Sequence, residues 1–532
     1  MTSSSKIADI LKAEGNALYH AGKYNEAYGK YSQAIKQDPY NAVLWANRAA
    51  SAVAMKKQLN LIQNTRKLGA DKAQVISINA FKKALSCLPS TGELSEVDRN
   101  LKDQFESGLK KAEANKNRMV TFNHAFAPAG SVHQKNLPWR RAMAMEQELI
   151  AQEDIKSSGF VILFAYRDFK EGLNGLNALQ VKTIGNQQMA VGLTQVVIST
   201  LSNGIMRDRR IFHMSDGNFI DKYNKQMMLE AQRYKAWTTG GPTLIQDEAP
   251  KRLKKLGWGA VRPALAVTVR AWIMRGFLQS TFQTPGASTE FFSDALRILE
   301  WGARIWKNVP TSDRGVIFEP SFIRGVKRLY LNLLQESWSR TKSDLEQIAT
   351  LARELIAEEQ ALPTGNVDPG FASSFWVYPV ADAHVNLGWY YMRKAQASPD
   401  EKEATVLCSI SATHYLKGAN LYPPDDENRP IFLKVGLEAL CFAETPLKIT
   451  LPLAKQIRQA IPVTKRIWEY SADAPILEGQ LKTVLEFEDH YRAEIEAGRM
   501  TLDDSGELES FVCCVSIVPS TIGSQSHDRL SD

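Results

Sequence analysis

The sequence predicts an all-α protein in which N-terminal helical hairpins, stacked as an α-solenoid, precede a larger helical domain. Three observations support this fold class. A spacing of 34 residues relates Ala8 to Ala42, and this period is typical of repeated helix–turn–helix units. Apolar residues recur at helical spacing from Trp139 to about Ala361. A second, weaker repeat pattern occupies residues 381–445.

The first hairpin is predicted over residues 7–39. Leu11 takes the large apolar position of its first helix, and Gly15 comes four residues later, where a Cβ would prevent the close approach of two helices. Pro39 ends the second helix, because its ring lacks the backbone donor and clashes with the preceding turn. The second helix has small and aromatic residues at its contact positions, namely Tyr24, Ala27, Tyr31 and Ala34.

A second unit begins at Ala42, with Trp45 at the large apolar position and Asn47 two residues later. A third unit is less regular. Its back helix matches the pattern, whereas its front helix does not, and a basic helix over about residues 95–115 is predicted to cap the stack. The matching back-helix positions are Phe81, Ala84, Leu85 and Pro89. We therefore predict a repeat module over residues 1–116.

These units resemble tetratricopeptide repeats (TPR), and in particular the TPR domains of heat-shock co-chaperones of the chaperone-organising and small glutamine-rich types. In that family, basic and amide side chains of the groove hold the free C-terminal carboxylate of an acidic chaperone tail. The resemblance assigns this carboxylate clamp to Lys12, Asn16 and Asn47. The family also uses a Lys and an Arg of the third repeat, and here Arg66 and Lys67 lie near that position but out of register.

The chemistry of such a clamp follows from the residue types. Lys12 and Asn16 are four residues apart, so they lie one turn apart on the same side of a helix. A lysine ammonium forms a charge-assisted hydrogen bond to a carboxylate, and amides add directional donors. A preformed groove can capture a chain terminus in this way. The alternative is that these residues bind no ligand and are ordinary solvated positions of a TPR groove.

The remaining chain is divided by composition into a linker over 117–138, a helical domain over 139–361, a helical TPR-like region over 371–500 and a disordered tail over 503–532. In the TPR-like region, Leu387, Gly388 and Tyr391 follow the front-helix pattern, and His384 stands where a tryptophan is usual. The short apolar runs 160–166 and 265–269 fit either strands or helices, and their surroundings favour helices.

Charge is unevenly distributed along the 532 residues. Residues 1–116 hold 18 Lys/Arg and 11 Asp/Glu, a net charge of +7, and the rest is neutral. A basic module suits an acidic partner. The five cysteines form no CxxC motif, and the sequence has neither an apolar signal core nor a run long enough to span a bilayer. We therefore expect a cytoplasmic protein.

No catalytic, phosphate-binding or nucleic-acid-binding motif is evident, and no cofactor is expected. Glu486 and His490 have the i, i+4 spacing of a metal pair but lack a second ligand cluster, so no metal site is predicted. His213 and His414 have no motif partner. We predict a non-enzymatic, co-chaperone-like adaptor that binds an acidic chaperone tail. The alternatives are an enzyme or ligand-binding domain over 139–498 that the TPR module localises, or a TPR scaffold unrelated to chaperones.

Overall fold

The structure is a computed structural model, and it describes most of the chain. It describes residues 3–20, 24–39, 41–51, 80–88, 99, 101–106, 109, 136–153, 155–184, 187–191, 197–214, 218–281, 285–341, 345–358 and 367–508. Arg66, Lys67, nearly all of the linker and much of the capping helix lie outside this set. Contacts divide the chain into one unit of residues 1–128 with 214–224 and another of residues 129–213 with 225–532.

The first unit begins with a helical hairpin. The hairpin consists of α1 (Ser3–His20) and α2 (Tyr24–Gln37), and the further described helices of this unit are α3 (42–51), α4 (80–86) and α5 (101–106). Gly15 lets α1 and α2 approach, because a Cβ at this position would lie 2.7 Å from Cε1 of Tyr31. Ala27 and Ala34 of α2 are fully buried.

Trp45 on α3 joins the hairpin to the following helices. Its indole nitrogen donates to the carbonyl oxygen of Pro39 at 2.8 Å, just beyond the end of α2. The ring packs against three groups of buried side chains, one that includes Leu11 of the first hairpin and two contributed by α4 and α5. A single large side chain thus links successive repeats, as expected of a repeat array.

The second unit is built mainly of helices, so the predicted fold class is confirmed. Its helices are α6 (Pro138–Ala151), α7 (Ser158–Asn177), α8 (Val197–Arg207), α10 (Gly241–Leu256), α11 (Trp258–Thr281), α12 (Pro285–Ile305), α13 (Thr311–Arg314), α14 (Pro320–Thr341), α15 (Leu345–Ala357), α16 (Pro369–Ala372), α17 (Tyr378–Ala397), α18 (Glu401–Leu421), α19 (Asn428–Phe442), α20 (Leu447–Trp468) and α21 (Ala474–Glu496), while α9 (Phe219–Tyr234) crosses the division between the units. The two ambiguous apolar runs are helical, within α7 and α11.

One small β-hairpin interrupts the helices. Strands β1 (Gln180–Ile184) and β2 (Gln187–Val191) pair antiparallel, with Gln180 opposite Val191 and Ile184 opposite Gln187. The sequence predicts a mostly helical domain over this region. The two five-residue runs are separated in the sequence by Gly185-Asn186, a hairpin signal that the prediction did not use.

The TPR-like region packs as its pattern suggested. Gly388 of α17 faces the ring of Tyr415 on α18, and a Cβ there would lie 2.8 Å from that ring, as at Gly15 and Tyr31. The wider sequence spacing between glycine and tyrosine comes from long helices, since only three residues join α17 to α18. The unit continues into α19, where Gly436 contacts Leu416.

The first residues of the predicted disordered tail, residues 503–532, make hydrogen bonds to the rest of the chain. The amide of Leu447 donates to the carbonyl oxygen of Asp504 at 2.8 Å, and Leu508 is buried. The chain therefore stays packed beyond residue 503, with Asp504 bonded to the start of α20 and Glu507 bonded to the hydroxyl of Tyr491 on α21. The rest of the predicted tail, residues 509–532, lies outside the described residues. Among those described, no helix has both the length and the hydrophobicity that crossing a membrane requires.

Candidate peptide-binding site

The three predicted clamp residues lie on α1 and α3. Nδ2 of Asn47 donates to Oδ1 of Asn16 at 3.2 Å, which joins the two helices through their amides. Lys12 lies one turn before Asn16 on α1. All three side chains are partly exposed, so they remain accessible to a ligand.

The amide of Asn16 is held in one orientation. Its oxygen accepts hydrogen bonds from the hydroxyl of Tyr31 at 2.7 Å and from Asn47. Within the described part of the chain, neither hydrogen of its amide nitrogen has an acceptor. The acceptor side is therefore occupied by the protein, and the donor side is left for a ligand. Such a site suits a carboxylate, which only accepts hydrogen bonds.

Lys12 contacts Asp9 in the absence of a ligand. Its ammonium lies 2.8 Å from Oδ1 of Asp9, and the two side chains are 32% and 52% exposed. An exposed pair of this kind contributes little to stability, so a carboxylate ligand can compete for the ammonium at small cost. The ion pair leaves the charge of Lys12 partly exposed.

Tyr31 of α2 restrains the site through its hydrogen bond to Asn16. Burial raises the pKa of its hydroxyl to about 12, with a smaller contribution from Tyr19. The hydroxyl therefore stays protonated at neutral pH and keeps donating to Asn16. The sequence identified Tyr31 only as a packing residue, because its contact with Asn16 joins two helices and leaves no local signal.

Arg48 is a further cation beside Asn47 that the clamp pattern does not include. Its guanidinium stacks over the rings of Trp45 and Tyr28, with centroid distances of 4.3 and 5.6 Å. Burial lowers its pKa. These ring contacts hold the charge against α2 and α3, where it adds to the positive potential of the module.

In the TPR-like region, the face that corresponds to the α1 site is already covered. Asp382 and Trp389 stand six residues before and one after Gly388, as Asp9 and Asn16 do relative to Gly15. Both contact α14. Nε of Arg328 lies 2.7 Å from Asp382, and the rings of Trp338 and Trp389 pack edge to face at 5.3 Å. This face therefore binds a helix of the same chain.

A buried charged cluster surrounds that contact. Arg210 bridges Asp208, Asp426 and Glu427, and the hydroxyl of Tyr378 donates to Asp426 at 2.5 Å. Burial raises the pKa of Glu427 to about 7, although Arg210 opposes this shift. The adjoining cavity has a volume of about 40 Å³. This space suits a few water molecules and not an organic substrate.

His414, which has no motif partner in the sequence, lies beside His384 in the structure. Its Nδ1 lies 3.1 Å from Nδ1 of His384, and Tyr391 stacks on its ring. Burial lowers the pKa of His384 to about 4, and His414 and Lys417 add to the shift. The two imidazoles come from different helices 30 residues apart, so the sequence offered no motif that would relate them.

Glu486, which has i, i+4 spacing to His490 on α21, and the nearby Asp489 both form ion pairs. Glu486 pairs with Lys482 at 3.3 Å, and Asp489 pairs with Arg458 at 2.6 Å. Across the described residues, no group of three or more His, Cys, Asp or Glu side chains is arranged to hold a metal ion.

Comparison with known proteins yields short alignments. The chain is 38% identical over 128 residues to the Hsp70-Hsp90 organizing protein of Triticum aestivum, covering 23% of this chain and 22% of that protein. It is 32% identical over 117 residues to the protein STIP1 homolog of Dictyostelium discoideum, covering 21% and 18%. It is 49% identical over 49 residues to the small glutamine-rich tetratricopeptide repeat-containing protein of the same organism, covering 9% and 15%.

The chain thus spans about a fifth, or less, of the length of these relatives. No family profile matches it, and no solved structure matches it. The predicted resemblance to TPR co-chaperones is confirmed by the relatives' names and by the helical fold.

Proposed function

We propose that the N-terminal module is an adaptor that binds the acidic C-terminal tail of a heat-shock chaperone. The observation that carries this proposal is the amide of Asn16, whose oxygen accepts from Tyr31 and Asn47 and whose nitrogen has no acceptor among the described residues, with Lys12 one turn before it on α1. The similarity to a protein named for organizing Hsp70 and Hsp90 supports a chaperone as the partner.

Binding would replace the ion pair between Lys12 and Asp9 by one between Lys12 and the terminal carboxylate of the tail. The terminal carboxylate of the tail would take the Lys12 ammonium from Asp9 and accept from the free amide hydrogens of Asn16 and Asn47. The net charge of +7 on residues 1–116 would attract the acidic residues that precede the terminus and speed their encounter with the groove.

The test is fluorescence anisotropy of a labelled acidic peptide, with either a free or an amidated C-terminus, titrated with the full chain. Lys12→Ala should weaken binding of the free-acid peptide by roughly ten- to a hundredfold, because one charge-assisted bond contributes about 1.5–3 kcal/mol. The matched control is Lys36→Ala, which removes an exposed lysine from α2 and should leave the affinity nearly unchanged.

Amidation adds a second test of the same contact. It should weaken binding to the wild-type chain by a similar factor and have much less effect on Lys12→Ala, because the contact is already lost. Equal binding of the free-acid and amidated peptides by the wild-type chain would contradict the clamp. The module would then be a TPR scaffold for some other ligand.

A further inference from the structure

Three tryptophans meet where α10, α11 and α12 end or begin. Trp306 is buried at the end of α12, with Trp258 at 5.0 Å and Trp301 at 4.9 Å, both edge to face. Trp258 and Trp301 are partly exposed. Phe318 packs on the opposite edge of Trp306 at 5.3 Å. The indoles thus form a rigid aromatic base with two rings that reach solvent.

Exposed aliphatic side chains occur next to these aromatic residues in the chain. Leu256 precedes Gly257 and Trp258, Ile305 precedes Trp306, and Val316 opens the short 3-10 helix that carries Phe318. They are 56%, 44% and 57% exposed. We name this set, with Trp258 and Trp301, the tryptophan surface. Large apolar side chains that cluster at the surface of a protein mark an interaction site.

Cations border the tryptophan surface. The exposed basic residues of the same helix ends are Lys254, Lys255, Arg262, Arg304 and Lys307, and Asp313 is an exposed acidic neighbour on α13. Arg262 lies beside Gly315 and bonds to the carbonyl oxygen of Ser312. Within the described ranges, Lys254, Lys255, Arg304 and Lys307 have no ion-pair partner.

Three exposed lysines elsewhere in this unit are held in ion pairs and provide a comparison. Lys448 pairs with Asp503, Lys465 with Glu478 and Lys482 with Glu486. The cations Lys254, Lys255, Arg304 and Lys307 lack such a partner among the described residues, so they produce a positive potential over the apolar patch.

We propose that the tryptophan surface binds an anionic lipid bilayer. Indole rings favour the boundary between headgroups and acyl chains, and exposed aliphatic side chains insert at the same boundary. Each basic residue near an anionic membrane increases partitioning by roughly fivefold. Leu256, Ile305 and Val316 come from three different element ends. They therefore do not form the linear stripe that an acidic helix would need, whereas a bilayer accepts any such arrangement.

The test is co-sedimentation of the full chain with vesicles of phosphatidylcholine alone or mixed with phosphatidylserine. We expect binding to the mixed vesicles that falls as salt rises, and little binding to phosphatidylcholine alone. The triple change Lys254→Glu, Lys255→Glu and Lys307→Glu should reduce binding by roughly a hundredfold or more. The control triple Lys448→Glu, Lys465→Glu and Lys482→Glu has the same net charge and should bind far better.

A second variant distinguishes insertion of apolar side chains into the bilayer from electrostatic attraction to its headgroups. Leu256→Ser with Ile305→Ser changes two exposed side chains and no charge, so it should keep the fold and still weaken binding severalfold. Two results would overturn the proposal: equal loss in both lysine triples, or binding to soluble polyglutamate without binding to vesicles. The second result would identify an acidic protein as the occupant.

Discussion

The hydroxyl of Tyr31 donates a 2.7 Å hydrogen bond to Oδ1 of Asn16, and the ring of the same tyrosine lies against the Cα of Gly15. One side chain of α2 therefore controls both the packing of the hairpin and the orientation of the candidate ligand-binding amide. Tyr31 is 2% exposed, so the surrounding core restrains its position. Packing and binding should consequently respond together to changes at this contact.

Tyr31→Phe tests the orientation of Asn16. The ring and its packing are kept, whereas the hydrogen bond to the amide oxygen is lost. We expect a two- to tenfold weaker affinity for the free-acid peptide, since a net hydrogen bond contributes about 0.5–1.5 kcal/mol. Anisotropy titration measures it, and Tyr24→Phe is the control on the same helix. An unchanged affinity in Tyr31→Phe would show that the amide needs no such restraint.

Gly15→Ala tests the close approach of α1 and α2. The new Cβ would lie 2.7–3.0 Å from ring atoms of Tyr31, so the hairpin should lose about 1–3 kcal/mol through overpacking. Gly29→Ala on α2 meets nothing within 4 Å and should gain about 0.5–1 kcal/mol from higher helix propensity. Hydrogen exchange of the α1 and α2 amides in the full chain measures both. Equal protection in the two variants would contradict the packing argument.

Arg328→Met tests the internal contact that covers the TPR-like region. It would leave the buried carboxylate of Asp382 without its cation, at a cost of about 3–5 kcal/mol in the free energy of unfolding. Urea unfolding of the full chain measures the loss. Lys465→Ala, which breaks the exposed pair with Glu478, should change stability by less than about 1 kcal/mol. A similar small effect at Arg328 would mean that α14 is not held by this ion pair.

Acidification should destabilise the contact between α17 and α18. The pKa of His384 is about 4 in the folded chain and 6.5 in a free side chain, so the unfolded chain binds more protons between these values. The free energy of unfolding should therefore fall as the pH is lowered from 6.5 to 4, with no contribution from His384 above this window. His384→Gln should flatten that slope. His490→Gln, on an exposed position of α21, is the control, and identical slopes in all three chains would refute the assignment.

Local patterns predicted the elements that depend on local contacts. The glycine–tyrosine packing at Gly15 and at Gly388 follows from residue spacing, because both partners belong to one repeat. The pairing of His384 with His414 and the burial of Arg328 against Asp382 were not predictable in this way. Their positions depend on how helices fold back on one another, and no periodicity in the sequence reports that arrangement.

The orientation of Asn16 was missed for a related reason. The resemblance identified the amide, but only the structure reveals that its oxygen is occupied by Tyr31 and Asn47. The β-hairpin was missed although Gly185-Asn186 signals a turn, because short strands inside helical sequence give a weak alternation. The clamp of Lys12, Asn16 and Asn47 stays a prediction, and Arg66 and Lys67, which are out of register with the family's third-repeat cations, lie outside the described residues.

Trp45 touches both neighbouring repeats, and it is also the single tryptophan of residues 1–116. An isolated module of these residues would therefore carry one tryptophan, placed at the junction of its helices and hydrogen-bonded to Pro39. Its emission maximum reports whether that junction is closed without any introduced label. Separation of the repeats would hydrate the indole and shift its emission to the red, even if each helix remained intact.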